Sequence, residues 1–314
     1  MTNRNKRRRA GYREPRPATT QARATGAAAR PGLLTSLFTP RVAGSTNMPR
    51  LGSSILRGLT VTLGTPALLG GTVLLVLLGW IAALRWGYQG PAPELASMLA
   101  MTPVGTLFDL RLTSAVLGVG GGPTALLGML PFAIVRSILT GVILGLAVEV
   151  LDTGRSSVAG ARRGLRVAPL VLVVGVIQLG FFIVAGYIGA LIPGLAVFVR
   201  VGTVTAAVYL LAYAPIVQLR EGRGVLESLS TGSRAARIPG TGSLAMALLF
   251  TVPALAISQL PIGGFGVNPS AWTWVFVLSV NLLHVSVIAT YAYRWMCIED
   301  EVPDPAVRAP SRRR

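Results

Sequence analysis

Charge is scarce in this chain, and three chemically useful residue types are almost missing. Of 314 residues only 13% are charged, against about 25% in an ordinary soluble domain. Lys6 is the only lysine, His284 the only histidine and Cys297 the only cysteine. One histidine excludes His-pair metal sites and two-histidine proton relays. One cysteine excludes a disulfide within the chain and any Cys-x-x-Cys motif. The apolar runs hold no acid deep inside them, which argues against a carboxylate path for protons or sodium. No Walker loop is written, and Gly118 to Gly122 lacks the lysine and reads as a chain breaker. With no paired catalytic groups, the sequence predicts neither an enzyme nor a cofactor or metal.

What the chain has is apolar length. It is 52% hydrophobic, in runs that reach the roughly 20 residues needed to span a bilayer core. Six spans are predicted, at about 60–84, 124–149, 168–192, 195–218, 242–260 and 271–293. Residues 87–112 form the longest loop between them. The fold class expected is all-α: a polytopic membrane helical bundle. The domains expected are a disordered basic tail over 1–50, a six-helix transmembrane domain over 51–298 and a short tail over 299–314. A cleavable signal peptide is not expected, because the first apolar run starts only near Val61.

The net charge of +18 is almost all arginine. Residues 1–57 alone hold Lys6 and eleven arginines against Glu14. In a membrane protein such a tail reads as a cytoplasmic retention signal with attraction to headgroups, not as a nucleic-acid arm. The N-terminal segment, loop 151–167, loop 220–241 and the C-terminus are all net basic, and the other three loops are close to neutral. Six spans with both termini inside therefore satisfy the positive-inside rule at every loop. The expected location is the plasma membrane of a prokaryote with a GC-rich genome.

Two basic loops share their punctuation. DTGRSSVAGARRGLR (152–166) and REGRGVLESLSTGSR (220–234) carry Gly-Arg and Gly-x-Arg at matching places, 68 residues apart. Each follows an inward span and precedes an outward one, which suggests duplication. Gly154 and Gly222 permit the turn. Val158, Ala161 and Leu165, then Val225, Leu226 and Leu229, fall at helical spacing, so each loop reads as a cytoplasmic interfacial helix or as a plain solvated loop. Arg155, Arg162, Arg163, Arg166, Arg223, Arg234 and Arg237 are the candidate contacts to anionic lipid. Arg57-Gly58-Leu59-Thr60-Val61 resembles Arg163-Gly164-Leu165-Arg166-Val167, which would make a third copy split across the termini.

On LGSSILRGLTVTLGTPALL and EGRGVLESLSTGSRAAR, residues 51–298 resemble a group of six-span prokaryotic membrane proteins. They are similar to the membrane domain attached to some glycerophosphodiester phosphodiesterases. Thr231-Gly232-Ser233 stands where that pattern has an aromatic residue. The resemblance implies a helical membrane domain and carries no enzymatic activity with it.

Arg136 is the sharpest single residue. Near a bilayer centre a charge costs from about 3 to over 10 kcal/mol, so it needs partners. Gln178, Asn281 and His284 are candidates, with an anionic ligand or lipid phosphate as the functional alternative. If 114–135 spans instead, Arg136 stands at an interface. Asn281 and His284, one turn apart, suit interhelical hydrogen bonds. Arg200 can snorkel, and Gly141 with Gly145 gives a small-residue packing face. The function expected is a scaffold or accessory protein engaging anionic lipids or a membrane-protein partner; the alternative is a transporter for an anionic or amphipathic solute.

Overall fold

The computed structural model describes residues 49–85, 122–238, 242–258 and 267–299. All belong to one unit, Val42–Arg314. Most of the expected tail 1–50, the loop 87–112, the loop near 261–266 and the tail after Glu299 lie outside the described residues, as does the Arg200 side chain.

The described residues are helical and contain no strand. The helices are α1 (Leu51–Leu63), α2 (Pro66–Arg85), α3 (Gly122–Thr153), α4 (Val158–Leu165), α5 (Ala168–Leu191), α6 (Ala196–Leu211), α7 (Ala214–Glu221), α8 (Val225–Ala236), α9 (Ser243–Ser258) and α10 (Ala271–Ile298). Three stretches are long and apolar enough to cross a membrane: Leu130–Thr153, Pro193–Glu221 and Ala271–Ile298. The bent pair Leu51–Leu63 and Pro66–Ala82 makes a fourth if counted as one, and Ala168–Gln178 and Ser243–Val252 are shorter apolar helices. Length and composition thus give three or four crossings where the sequence predicts six.

Local chemistry sets the breaks. The first apolar run does not begin as a membrane helix at residue 60. α1 runs to Leu63, Gly64 donates to Thr60 O at 2.9 Å, and the chain bends by 87° before α2. Pro66 has no N–H to continue α1 and disfavours helical geometry at Thr65. The expected fourth span is likewise two helices, parted at Ala212 and Tyr213 ahead of Pro215. The last helix is longer than expected, to Ile298. Its Arg294 stands one turn before that end. It is fully buried and donates to Pro49 O and to Ser54 Oγ, so the start of α1 covers it.

Gly154 and Gly222 end their helices with φ of +75° and +68°, a region that costs other L-residues energy. The short helices α4 and α8 follow the expected apolar faces only in part: Ala161, Val225 and Leu229 are partly buried against the core, and the remaining three residues are exposed. On α4 the buried residues are Gly160 and Gly164, while Val158 is 69% exposed. On α8 they are Ser228, Thr231, Gly232, Ala235 and Ala236, while Leu226 is 82% exposed. On α1 they include Ser54 and Gly58, while Leu56 is 64% exposed.

Small residues face the bundle because backbones approach there. A Cβ on Gly164 would lie 2.8 Å from the Gly141 carbonyl carbon. One on Gly232 would lie 2.7 Å from the Ala214 amide nitrogen, and one on Gly58 would lie 2.9 Å from that of Thr290. Interfaces of this kind are built on small residues. Around them α2, α3 and α10 pack on one another, α5 packs on α3 and α6, and α9 packs on α6. Tyr213, Tyr291 and Trp295 fill the core near the Tyr213 break, with the two tyrosine rings 5.4 Å apart.

Candidate functional site

The described residues include five acids, Glu149, Asp152, Glu221, Glu227 and Glu299. All five hold arginines around the ends of α3, α7 and α10, so in a chain of net charge +18 the described acids are gathered in one place. Glu149, in the last turn of α3, organises the start of α4. It accepts from the Ser157 N–H at 2.8 Å and the Ser157 hydroxyl at 2.7 Å, and Arg163 Nη2 stands 3.3 Å away. Ser157 Oγ in turn accepts from the Ala159 N–H as the α4 N-cap, a contact typically worth about 1 kcal/mol.

Arg220 ends α7 and joins two other helices. Its Nη1 donates to both oxygens of Asp152 at 2.7 Å, while Nε and Nη2 donate to Glu299 at 3.0 and 2.8 Å. The planar guanidinium matches two carboxylates at once, as an ammonium could not. Arg223 is held by Glu221 and by Glu227, the latter at 3.1 Å. These groups surround a cavity of about 550 Å³ that opens outward. Asp152, Arg163, Arg220, Glu221, Arg223 and Glu299 form its polar wall, and Gly145, Val148 and Leu219 complete it.

The network was missed by reading the sequence, but one signal is there. Asp152 and Arg220 open the two matching stretches, 68 residues apart, with opposite charge. Glu299 carries no such mark, because its pairing spans 79 residues.

The expected mid-bundle residues are all buried: Arg136, Gln178, Asn281 and His284. α3 runs unbroken through Arg136, fourteen residues from its first residue, so that residue lies well inside a helix. Arg136 stands on α3 and His284 on α10, two helices that pack on one another. His284 Nε2 is buried without a hydrogen-bond partner. Asn281 Nδ2 donates back to Val277 O in its own helix at 3.1 Å. Gln178 stands on α5, which packs on α3.

The expected lipid-contact arginines divide. Arg155, Arg162, Arg166 and Arg237 are exposed, and Arg234 is half-buried. Arg163, also exposed, and half-buried Arg223 line the cavity, beside acids from α3, α7 and α8. No family model matches this chain, and neither a curated protein nor a solved structure matches it.

Proposed function

We propose that the chain is a six-span protein of the prokaryotic plasma membrane with both termini in the cytoplasm. It acts without catalysis, as a scaffold or accessory protein that engages anionic lipid through a belt of short helices. The observation that carries this reading is the shared build of α1, α4 and α8. Each turns small residues to the bundle and leaves a large apolar residue outside: Leu56, Val158 and Leu226. Arg57 stands beside Leu56 and Arg166 beside Leu165. Apolar side chains flanked by guanidinium suit the boundary between acyl chains and anionic headgroups.

The reading includes three related hairpins, the third split between α10 and α1. Gly58 and Gly164 each meet the backbone of a long helix, α10 and α3, while Gly232 meets the backbone at the break before α7. The likeness to the membrane domain attached to some glycerophosphodiester phosphodiesterases belongs to the same proposal. A second reading, transport of an anionic solute, is favoured by one observation: Arg136 and His284 are both buried, on helices that pack on one another.

Cysteine accessibility tests the belt and the topology together. In a Cys297→Ser background, Ser156→Cys is expected to react with an impermeant maleimide only in inverted vesicles, and Asn268→Cys only in right-side-out cells. A solvatochromic dye at Leu226→Cys is expected to report an apolar surrounding. Labelling of both loops from one side, or a water-exposed dye, would overturn the proposal.

A further inference from the structure

We infer that the cavity between the ends of α3, α7 and α10 is a binding site for a headgroup that carries both a phosphate and an amine. The inference rests on the membrane reading, which sets these helix ends at headgroup depth. Its volume of about 550 Å³ lies in the usual range of ligand pockets, roughly 300–1,000 Å³.

The charges choose the ligand. The wall carries three guanidinium groups and three carboxylates, and Glu149 and Glu227 stand behind Arg163 and Arg223. A simple anion would face more carboxylates than arginines. A simple cation would meet the three guanidinium groups of the same wall with no anion of its own to offset them. A zwitterion answers both signs, which is how a cleft of mixed charge gains specificity.

Arg163 is the group free to take the phosphate. Its side chain is half exposed, and its ion pair with Glu149 is the long one at 3.3 Å. Glu149 keeps both Ser157 hydrogen bonds if Arg163 swings away, so turning it outward leaves no buried carboxylate bare. A guanidinium can then hold phosphate bidentately. The amine is received by Glu221, which lines the cavity and can accept a further donor beside Arg223, since a carboxylate offers about four lone-pair sites. Arg220 stays fixed between Asp152 and Glu299 and keeps the wall in shape. Val148 and Leu219 offer apolar surface to the glycerol end of a lipid.

The test uses the full chain in detergent, with three probes: dihexanoyl phosphatidylethanolamine, dihexanoyl phosphatidylglycerol and free phosphoethanolamine. Binding is read by thermal shift and native mass spectrometry. The ethanolamine lipid is expected to bind more tightly than the glycerol lipid. Arg163→Gln should weaken it roughly ten- to hundredfold, the cost of losing charged hydrogen bonds. Arg163→Lys should weaken it less, and Arg85→Gln, on an exposed residue of α2 outside the cavity wall, should leave it unchanged. If Arg163→Gln does not fold, the Lys variant and the lipid ranking still decide. Equal binding of free phosphoethanolamine would support the site and assign it a soluble ligand. Equal or tighter binding of the glycerol lipid, or a Lys variant that binds as the wild type does, would overturn the inference. The maleimide pattern is independent of these outcomes, so failure of the site and failure of the topology are told apart.

Discussion

Arg220 carries more of the architecture than any other charged side chain, because one planar group ties three helix ends. Its side chain is 21% exposed, so water screens it only in part. Arg220→Gln would leave Asp152 and Glu299 facing each other without the cation. The expected cost is about 1.5–3 kcal/mol, the range for hydrogen bonds to charged groups. A double-mutant cycle with Asp152→Asn, followed by thermal unfolding in detergent, should show clear non-additivity; additive losses would mean that the pair contributes nothing specific. Ser157→Ala should cost about 1 kcal/mol through the α4 N-cap. Ser157→Asp should cost more despite being a good cap residue, because its carboxylate would meet Glu149.

At the scale of the helix the packing rule is smallness. Gly58→Val, Gly164→Val and Gly232→Val each push a side chain into backbone that cannot step aside. Each is expected to destabilise by about 1–3 kcal/mol or more, the range for overpacked cores. Gly52→Ala on α1 is the internal control, since a Cβ there meets nothing within 4 Å; it should hold or raise the melting temperature, because alanine favours helix by about 1 kcal/mol over glycine.

The sequence makes the long helices legible and misses their seams. Apolar runs place α3, α5, α9 and α10 to within a few residues, because in these helices nearly every position is apolar and only length matters. The break at Gly64 to Pro66 is hidden, since residues 60–63 join the apolar run of α2 with no charge between them. Periodicity picks out Val158, Ala161 and Leu165 as the face of α4, yet of these only Ala161 packs on the core, beside buried Gly160 and Gly164. Hydropathy finds the oily side of a helix but not whether oil or protein lies beyond it. Arg136 and His284 are recognisable singly, being polar residues in apolar runs. Asp152, Arg220 and Glu299 look like ordinary loop charges until the helix ends bring them together.

Over the whole molecule, α1 behaves as a part of the last helix. It packs more extensively on α10 than on α2 and covers Arg294. Removing the chain through Leu63 should therefore damage the far end of the sequence. The expected result is an aggregating protein in detergent, with Arg294 stripped of Ser54 and the Pro49 carbonyl. Size-exclusion profiles of the truncated chain and of Arg294→Leu in the full chain would check this. A monodisperse truncated protein would show that α1 is dispensable for folding.

The same contact sets a clock. Ser54 and Arg294 are 240 residues apart, and ribosomes add about 5–20 residues each second. For roughly ten to fifty seconds of synthesis, α1 exists without the helix that receives it. Its small-residue face must wait at the membrane, open to lipid, to a chaperone or to a wrong partner, and a helix made early is among the last to reach its native place.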